Sequence, residues 1–600
     1  MRTIRSVIPL CVALTMIFTH SSATAAETSP PHVIIIMTDD QGGWDYGFMG
    51  NKVLDTPNLD AMAKRSAQMT RFYVSPVCTP TRANLMTGRY NYRTRAIDTF
   101  IGRAMMDTEE VTIAEVLAPA GYSSGIFGKW HLGDSYPMRP QDQGFDEVLV
   151  HRGGGIGQPS DPPGGESKYT DPILQHNGVE KEFKGYCTDI YFKAAMDFIG
   201  KNHKQGKPTF TYIPTNPPHG PYGDVPGELL EKYRARDLRP TYLRQPFPDK
   251  QYERRKDTTA RIFAMIENVD QNVGRLFKHL KKIDAHDNTL VFFLNDNGPN
   301  GPRFVGPHRG NKGQIYEGGI RSILLAHWPR SIRAGTTSDA ISAHYDLFPT
   351  ILAAAGAKKP KGLKIDGMSI LPHLKGQKVE RIDRTLFLQW HRGNEAEPYR
   401  NGAAVTQRYK LLWPNFGKFA PKNHGPQLYD LIADPKESKN LAAEKPDLLK
   451  RLKRRYDVWF SDVSSTRPNN YDPPRIHIGN PRETTTVLTR QDWRFRGPNG
   501  AWGRNDRGHW LVTVERAGLY DVKVLFAEDQ HPETLGLEFV AGRSGKVKKS
   551  AKVAAKSKQH IFKSVRLKAG PQDVEAFLAQ GDRKRGVHQI YITSRESANH

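Results

Sequence analysis

Two pairs of oxygen-bearing side chains directly follow long apolar runs of the sequence. Asp39 and Asp40 come after HVIIIMT, and Asp296 and Asn297 come after TLVFFLN. Adjacent carboxylates at the end of an apolar strand repel one another and lose hydration, so a positive charge must offset them. Oxygen donors without a cluster of thiolates or imidazoles favour a hard cation, Ca²⁺ or alternatively Mg²⁺. Either pair alone is as typical of a capped turn, but two pairs at equivalent strand ends favour a metal site.

The stretch CTPTRANLMTGR, residues 78–89, is the second candidate for chemistry. Thr79 suits a helix N-cap, Pro80 the first helical position and Gly88 the residue just past the helix end. Such a helix would place Cys78 at its positive end, where both a nucleophile and a tetrahedral anion are favoured. A lone cysteine is ordinarily a small buried hydrophobe, so the functional interpretation depends on the residues around it.

Five apolar runs are predicted to be the strands that position these side chains. They lie at residues 32–40, 123–131, 208–219, 289–297 and 319–329. Uninterrupted apolar strands are typical of a parallel sheet that is covered on both faces. Helical patterns between them, at 111–120 and 260–282, predict an α/β fold with a doubly wound, mostly parallel sheet. Ligands of such folds bind beyond the carboxyl ends of the strands, so the polar residues after the runs should meet in one crevice.

Six hundred residues exceed what one hydrophobic core usually organises, which predicts appendages to the α/β domain. RTLFLQW, NGAAVTQRYKLLW and QLYDLIADP indicate a small antiparallel sheet, followed by a helix at 442–460. TRPNNYDPPR is typical of a linker, and the alternating segments beyond it predict a β-sandwich. The predicted order is a signal peptide (1–26), the α/β domain (27–375), a C-terminal α+β subdomain (376–465), the linker (466–475) and the β-sandwich (476–600).

The first 26 residues have the order of a secretory signal. Arg2 and Arg5 precede a short apolar run, and small residues follow around Ala23 to Ala26. The run is too short to span a bilayer and no other run is long enough. We therefore expect an exported protein, periplasmic or secreted, without stable membrane insertion.

Cysteine content and charge narrow the class of protein further. Cleavage of the leader would leave Cys78 and Cys187 as the remaining cysteines, so disulfides are not expected to stabilise the fold. The net charge of +24 would concentrate polyanions near the surface, although a solvated basic surface is an equally good explanation. No nucleic-acid partner is expected.

The Cys78 stretch resembles the signature of the type I sulfatases, in which the cysteine of Cys-x-Pro-x-Arg is oxidised after synthesis to Cα-formylglycine. The matching residues are Cys78, Pro80, Arg82, Leu85, Thr87, Gly88 and Arg89, with Thr81 where the family often has serine. Six further motifs resemble that family in its order over residues 30–465: TDDQG (38–42), GKWHLG (128–133), GFD (144–146), PPHGPY (217–222), NDNG (295–298) and RGNKGQIYEGGIR (309–321). The resemblance implies an arylsulfatase-like enzyme of the alkaline phosphatase superfamily that hydrolyses sulfate esters.

The resemblance also implies roles for individual residues. Asp39, Asp40, Asp296 and Asn297 match the family's calcium ligands, and formylglycine at position 78 completes the shell. Arg82 and Lys129 match residues that hold the formylglycine hydroxyls, His131 matches the one that assists sulfate release, and His219 and Lys312 match the pair that grips sulfate and protonates the leaving oxygen. One hydroxyl of the hydrated aldehyde attacks sulfur, the ester oxygen leaves, and the second hydroxyl expels sulfate. A formylglycine-generating maturation enzyme is the implied partner.

These implied roles agree with physical requirements of the reaction. The growing negative charge of a sulfate ester must be met by fixed cations, here a metal, two lysines and an arginine. An alkoxide leaving group needs a proton donor, for which His219 is suited near neutral pH. Any one of the 21 histidines is ordinarily structural; position after a strand and inside a motif favours function for His131 and His219, and less so for His308 and His344.

Several other functions compete with this interpretation. GYSSG (121–125) matches the Gly-x-Ser-x-Gly elbow of serine hydrolases, but a helix precedes it and a strand follows, which excludes that motif. RGGGIG (152–157) has no helix after it and is a weak phosphate cradle. A phosphonate monoester or phosphodiester hydrolase of the same superfamily, with the same fold, metal and formylglycine, stays the alternative. An inactive polyanion-binding protein is the alternative from a different class.

The substrate class follows from charge and export alone. Both favour a sulfated polysaccharide or an oligosaccharide cut from one. Trp493, Trp502 and Trp510 are candidate platforms for such a ligand, although buried tryptophan is the commoner role. The sandwich therefore either binds carbohydrate or braces the α/β domain.

Overall fold

The apolar run that begins at His32 forms the central strand of a ten-stranded sheet in the computed structural model of the chain. The structure describes residues 29–595 except 243–246, 381, 416–423, 467–470, 496–505, 527–532, 543–544 and 546. The predicted signal peptide and part of the predicted linker lie outside the described residues. The strands of the α/β domain are β1 (His32–Thr38), β2 (Ala67–Met69), β3 (Phe72–Tyr73), β4 (Ser123–Lys129), β5 (Glu147–His151), β6 (Ile173–His176), β7 (Val179–Glu182), β8 (Thr209–Pro214), β9 (Thr289–Asn295), β10 (Arg321–Ser322), β11 (Leu324–His327), β12 (Thr337–Ser338) and β13 (Ser342–Ala343). Its helices are α1 (Pro57–Arg65), α2 (Cys78–Thr87), α3 (Asn91–Thr94), α4 (Ile113–Leu117), α5 (Cys187–Lys204), α6 (Gly227–Arg234), α7 (Asp249–Lys282), α8 (Glu317–Ile320), α9 (Leu347–Ala355) and α10 (Leu371–Leu374).

Five neighbouring strands at the centre of the large sheet run parallel. The order is β12-β2-β11-β9-β1-β8-β4-β5-β6-β7, and β9, β1, β8, β4 and β5 share one direction. Antiparallel pairings of β9 with β11, β5 with β6 and β6 with β7 flank this centre. The predicted α/β fold with a mostly parallel sheet is confirmed, and the first four predicted runs are adjacent strands in it.

The fifth run, 319–329, was predicted to be a parallel strand, and this prediction is wrong. Its β11 pairs antiparallel with β9, while β10 joins β3 and β13 in a separate three-stranded sheet. Between Asn295 and Leu324, a stretch that is described throughout, the helical structure is the four-residue α8. Without a crossover helix the chain stays at the carboxyl edge of the sheet and re-enters it in the opposite direction.

Helices cover both faces of the sheet, as β1 illustrates. Val33, Ile35 and Met37 pack in one core with side chains of α2, α4 and α9. Ile34 and Ile36 point to the other face and pack with α1, α5 and α7. Full burial of an aliphatic side chain of this size contributes about 1.5–3 kcal/mol, so the strand is held firmly from both sides.

A small α+β unit follows the α/β domain. Its elements are β14 (Leu386–Gln389), β15 (Gly402–Val405), β16 (Tyr409–Trp413), β17 (Gln427–Asp430) and α11 (Pro446–Ser464), and its four strands form an antiparallel sheet. Leu452, Tyr456, Trp459 and Val463 recur at helical spacing on α11 and pack on this sheet. The predicted subdomain is therefore confirmed as a fold. Among the described helices none is long and apolar enough to cross a bilayer.

The described residues from 476 onward form two packed sheets, as predicted. The strands are β18 (Ile476–Ile478), β19 (Thr485–Thr489), β20 (Arg494–Phe495), β21 (Gly508–Val514), β22 (Gly518–Leu525), β23 (Leu535–Ala541), β24 (Val547–Val553), β25 (Gln559–Leu567), β26 (Gly570–Gln580), β27 (Arg583–Gly586) and β28 (Gln589–Ser594). One sheet has the order β18-β21-β26-β23-β24 and the other β19-β28-β22-β25. Trp493 and Trp510 are fully buried in this core, so neither is a carbohydrate platform, and Trp502 lies outside the described residues. The boundaries between the domains stay predictions.

The sandwich packs directly on the α/β domain. Met105 and Met138 of the α/β domain belong to the apolar core of the sandwich. Hydrogen bonds also cross the contact, including Ser135 Oγ to Val487 O at 3.1 Å. The sandwich therefore braces the α/β domain through both apolar and polar contacts.

Two carboxyl groups lie in this contact, the half-buried Asp134 and the buried Asp492. Asp134 accepts a hydrogen bond from Gly153 N at 2.6 Å, and Asp492 of the sandwich is 5 % exposed. Burial raises the pKa of both groups, and repulsion from Asp134 raises the pKa of Asp492 further, while Arg152 opposes both shifts. The folded chain therefore keeps a proton on Asp492 at pH values where the unfolded chain has lost it.

We predict that Asp492→Asn raises the melting temperature more at about pH 8 than at about pH 5. A carboxyl whose folded-state pKa is raised stabilises the fold fully below its unfolded pKa of about 3.9. That contribution is lost as pH rises through the folded-state pKa, by about 1.4 kcal/mol per pH unit, and asparagine avoids the loss. Thermal melts across this range measure the effect, with the exposed Asp582→Asn as the control. The prediction would be contradicted if the melting temperatures of the wild type and of Asp492→Asn differed by the same amount at every pH.

Candidate active site

Helix α2 presents Cys78 at its first position. Its N-cap is Val77, with an extended backbone (φ −146°, ψ 163°) and no side-chain cap, so the predicted N-cap role of Thr79 is wrong. The pattern misleads because Pro80 fits any position of a first helical turn, where no N–H is needed. Gly88 ends the helix as predicted, with φ 68° and its N–H on Asn84 O.

The strand ends bring the predicted metal ligands together. Thr38 at the end of β1 pairs with Asn295 at the end of β9, so the residues that follow them emerge side by side. Cys78, Asp39 and Asp296 offer ligand atoms that all lie within 4.8 Å of one another. Asp40, Asp39 and His219 form a second such group. Both groups lie beyond the carboxyl edge of the sheet, where the sequence places a ligand crevice.

The oxygens of this cluster suit a hard cation. Asp39 Oδ1, Asp40 Oδ2 and Asn297 Oδ1 are buried and have no hydrogen-bond partner among the described residues. Asn297 is oriented by its amide nitrogen, which donates to Asp40 Oδ1 at 3.0 Å and to Gly298 O at 2.9 Å. Buried oxygens without partners are costly unless an ion binds them. Carboxylate and amide oxygens are the ligands that Ca²⁺ and Mg²⁺ prefer, so the residues present fit such an ion.

Each carboxylate of the cluster also has a cation beside it. Lys129 Nζ lies 2.5 Å from Asp39 Oδ2, Arg82 Nη2 lies 2.9 Å from Asp296 Oδ2, and Lys312 Nζ lies 2.5 Å from Asp40 Oδ1. Burial opposes ionisation of Asp39, but Lys129, His219 and Arg82 outweigh it and hold the pKa of Asp39 below its usual range. Burial and repulsion from Asp39 raise the pKa of Asp296 to about 7 despite Arg82. The site therefore has room for additional positive charge.

Two histidines border the same space. His219 Nδ1 donates to Gly220 O at 2.6 Å, which leaves Nε2 on the side of Asp40, whose Oδ2 lies 3.7 Å away. His131 Nε2 lies 2.9 Å from the Thr99 carbonyl oxygen, and its buried Nδ1 has no hydrogen-bond partner among the described residues. Burial lowers the pKa of both imidazoles, although Asp40 opposes the shift of His219. In each imidazole ring, therefore, one nitrogen bonds a backbone carbonyl oxygen and the other does not.

Two of these residues have a backbone conformation that side chains disfavour. Asp40 has φ 61° and His131 has φ 58°, both in the left-handed region. Such residues cost about 1–3 kcal/mol and persist where neighbours hold them. Asp40 is held by its N–H on Asp296 Oδ1 at 3.1 Å and by Arg303 Nη2 on its carbonyl at 2.7 Å. The turn that Asp40 makes after β1 is thus fixed by the site itself.

The glycine-rich run at 152–157 packs on both histidines. A Cβ at Gly154 would lie 2.6 Å from His131 Cε1, and one at Gly155 would lie 3.1 Å from His219 Cε1. The first distance is too short for any side chain, so the loop needs glycine to approach the imidazole. The run therefore forms a wall of the site.

The weaker candidates for function, His308, His344 and the GYSSG motif, have structural roles. His308 Nδ1 bonds Pro435 O at 2.8 Å, and His344 Nδ1 bonds Tyr73 O at 3.1 Å, and neither belongs to the cluster. Gly121 of GYSSG ends a short 3-10 helix with φ 86°, and Ser123 begins β4. The exclusion of a nucleophile elbow there agrees with the structure.

Sequence reasoning missed one side chain beside His131. Gln491 of the sandwich donates through Nε2 to Thr99 O at 2.7 Å, and the same nitrogen lies 3.3 Å from His131 Nε2. It is 360 residues from His131 in the chain. Its surroundings predict only strands and turns, so no local signal identifies it.

Comparisons with known proteins match this chain to two family profiles and to several relatives. The Sulfatase family profile matches residues 31–357, and that of the N-sulphoglucosamine sulphohydrolase C-terminal region matches residues 309–458. Human arylsulfatase A is 32% identical over 478 residues, which cover 72% of this chain and 88% of the relative. Mouse N-acetylgalactosamine-6-sulfatase is 31% identical over 399 residues, which cover 62% and 70%. The crystal structure of Ps i-CgsB superposes with a TM-score of 0.62 at 28% identity, covering 73% of this chain and 94% of that one.

We predict that the protein binds one Ca²⁺ and that Asp39→Ala weakens its affinity by more than about 100-fold, because a ligand oxygen is removed. Isothermal titration of the metal-depleted protein measures this without reference to turnover. Asp270→Ala is a matched control, since Asp270 is equally buried but bonds Asn58 Nδ2 and Leu59 N, which do not belong to the cluster. Equal Ca²⁺ affinity in the wild type and Asp39→Ala would contradict the assignment.

Proposed function

Because this chain belongs to the sulfatase family and is an arylsulfatase-like sulfuric ester hydrolase, we propose that it cleaves sulfate esters of carbohydrates with a Cα-formylglycine made from Cys78. One observation carries the proposal. Cys78 Sγ, at the first position of α2, lies within 4.8 Å of ligand oxygens of Asp39 and Asp296. Export and a formylglycine-generating maturation enzyme belong to the same proposal.

The environment of Cys78 is unsuited to a thiolate nucleophile. The side chain is 2 % exposed, and burial raises the pKa of its thiol, although Lys129 and Lys312 oppose the shift. A protonated thiol is a weak nucleophile. Oxidation to formylglycine would supply an aldehyde whose hydrate presents an oxygen nucleophile in its place. The position is therefore better explained by the modified residue than by cysteine itself.

The charges around Cys78 suit a sulfate ester. Ca²⁺ held by Asp39, Asp40, Asp296 and Asn297 would stabilise negative charge on the sulfate oxygens. The three carboxylates are already matched by Arg82, Lys129 and Lys312, so a divalent ion leaves the site with net positive charge. Burial makes these charges act more strongly than they would in water.

Two side chains of this set retain access to solvent. The Lys312 side chain is 19% exposed and that of His219 is 15% exposed, whereas those of Arg82 and Lys129 are fully buried. The substrate therefore approaches past Lys312 and His219, with its sulfate directed toward Cys78. Both residues would then lie beside the ester oxygen that leaves.

His219 is suited to protonate that leaving oxygen. Its Nδ1–H is committed to Gly220 O, so Nε2 is the atom that exchanges a proton with the substrate. Burial lowers the pKa of His219, and an anionic ester bound beside it would favour the protonated form that acts as an acid. Asp40 acts in the same direction.

A carbohydrate substrate is supported by the relatives and by charge. One relative is an N-acetylgalactosamine-6-sulfatase, and Ps i-CgsB has been crystallised in complex with k-i-k-neocarrahexaose. The net charge of +24 attracts polyanions such as sulfated glycans. We therefore propose a sulfated sugar of a poly- or oligosaccharide as the substrate.

We predict release of sulfate from a panel of sulfated sugars, with no comparable turnover of a phosphodiester or a phosphonate monoester. Mass spectrometry of the peptide that contains residue 78 must first show the aldehyde. Cys187 is an internal control in the same digest, since it also begins a helix but has no Pro-x-Arg after it, and it should stay a thiol. Preference for the phosphorus esters would replace the proposed function by the alternative hydrolase. Hydrolysis of aryl sulfates alone would exclude the carbohydrate substrate.

We predict that His219→Ala slows hydrolysis of a sugar sulfate far more than that of nitrophenyl sulfate. An alkoxide needs a proton as it leaves, whereas nitrophenolate leaves without one. The expected loss in kcat is about 100- to 10,000-fold for the sugar and about tenfold or less for the aryl ester. Steady-state kinetics on both substrates measure the ratio, and the aryl ester serves as the internal control. Equal losses would assign His219 to binding rather than to proton transfer.

A further inference from the structure

Residues 99–102 lie between the candidate active site and the β-sandwich. Three hydrogen bonds join this segment to the sandwich: Gln491 Nε2 donates to Thr99 O at 2.7 Å, Gly102 N donates to Gln491 O at 3.3 Å, and Arg494 Nη1 donates to Ile101 O at 2.7 Å. The segment consists of bends and turns. Its position on this side is therefore set by the sandwich.

The C-terminal subdomain holds the same segment from the other side. Asp98 Oδ1 accepts from Trp390 Nε1 at 3.1 Å and from Arg392 Nη1 at 2.5 Å. Arg392 also donates to Thr99 Oγ1 at 2.8 Å. Ile101 has φ 61°, which is unfavourable for a β-branched residue and persists where surrounding contacts hold it. Thr99 is thus held by two units that lie outside the α/β domain, at its hydroxyl by Arg392 and at its carbonyl by Gln491.

Two nitrogen atoms share the Thr99 carbonyl oxygen. His131 Nε2 lies 2.9 Å from it and Gln491 Nε2 lies 2.7 Å from it, and a carbonyl oxygen can accept two hydrogen bonds. His131 Nε2 must carry a proton, because an unprotonated nitrogen there would face the lone pairs of the carbonyl. Nδ1 of the neutral ring then has the free lone pair. The Thr99 carbonyl therefore decides which nitrogen of His131 is basic.

Only one orientation of the Gln491 amide fits these contacts. If the amide were turned over, its oxygen would lie 2.7 Å from Thr99 O, and two acceptors would repel each other. In the orientation that fits, the contact of 3.3 Å to His131 Nε2 joins two N–H groups and is not a hydrogen bond. Gln491 therefore acts on the imidazole through the carbonyl that both of them bond. Its side chain is 1 % exposed, so burial keeps this geometry.

We propose that Gln491 is a positioning residue of the active site, which holds the Thr99 carbonyl in place and thereby sets the tautomer and orientation of His131. The inference rests on the proposed function and on the role that the family resemblance implies for His131, which is to assist the release of sulfate. In that role Nδ1 takes a proton while Nε2 stays bonded to Thr99 O. The β-sandwich, which lies beyond the matched ranges 31–357 and 309–458, thus contributes to turnover without contacting the substrate.

Gln491→Glu tests this role with a side chain of nearly the same shape. An ionised carboxylate cannot donate to Thr99 O and repels it, and its oxygen would instead attract the Nε2–H of His131, which lies 3.3 Å from the amide nitrogen that it replaces. The imidazole would therefore be drawn away from the Thr99 carbonyl. We expect kcat to fall about 10- to 100-fold while KM changes by less than about threefold, because the cations that bind sulfate are untouched. Steady-state kinetics on matured protein separate the two constants.

Gln589→Glu is the matched control. Gln589 also belongs to the sandwich, is also 1 % exposed, and also donates through Nε2 to a carbonyl of the α/β domain, Asp161 O, at 2.6 Å. We expect a similar loss of melting temperature in both glutamate variants but wild-type kcat in Gln589→Glu. Gln491→Ala removes the donor without adding charge, and it provides the same comparison if Gln491→Glu does not fold.

A crystal structure gives a readout that is independent of turnover. In Gln491→Glu with unmodified Cys78 we expect His131 Nε2 to move out of hydrogen-bond distance of Thr99 O. An unchanged contact, or equal kcat in the Gln491 and Gln589 variants, would overturn the inference. A wild-type protein that carries the aldehyde but hydrolyses no sulfate ester would instead overturn the proposed function, so the two failures are distinguishable.

Discussion

Burial of three carboxylates in one small space is the constraint on which the rest of this structure depends. Asp39, Asp40 and Asp296 are at most 1 % exposed, and an unpaired charge in such a place costs several kcal/mol. Each has a cation beside it, yet three of the buried oxygens of this cluster still have no partner among the described residues. In the proposed function the side chains that reduce this cost would also serve a sulfate ester, since Lys129 and Lys312 are cations fixed before any substrate arrives. Stability and catalysis therefore make the same demand on the same residues.

The parallel sheet meets that demand by geometry. Strands β1 and β9 end in register, so their following residues are neighbours although they are far apart in the chain. Asp40, shortly after β1, and His131, shortly after β4, have left-handed backbone conformations. A chain adopts such conformations only where contacts offset the strain. At Asp40 those contacts come from Asp296 and Arg303, which belong to the segment after β9. The strained turns and the charge cluster thus hold each other in place.

Much of this was predictable because the evidence is local in sequence. Strands β1 and β9 are long apolar runs, β4 and β8 contain shorter apolar runs beside Ser or Thr, and the candidate ligands stand within two residues of the ends of β1 and β9. The direction of β11 was not predictable, since an apolar run has no direction and the short connection around α8 decides it. The start of α2 was misplaced because Pro80 is compatible with several positions of a first turn. Gln491 could not be predicted at all, because its role depends on a contact 360 residues away.

The reason that Gln491 could not be predicted applies to general bases in other active sites as well. A general base must be fixed at one nitrogen and free at the other, and the fixed point must itself be rigid. Thr99 supplies the fixed point for His131, yet it lies in a segment of bends and turns with no ladder of its own. Such a segment takes its rigidity from whatever packs on it, here Arg392 of the subdomain and Gln491 of the sandwich. If His131 is the base that we propose, an appended domain whose described tryptophans are core governs turnover through the order that it imposes on a loop of its neighbour.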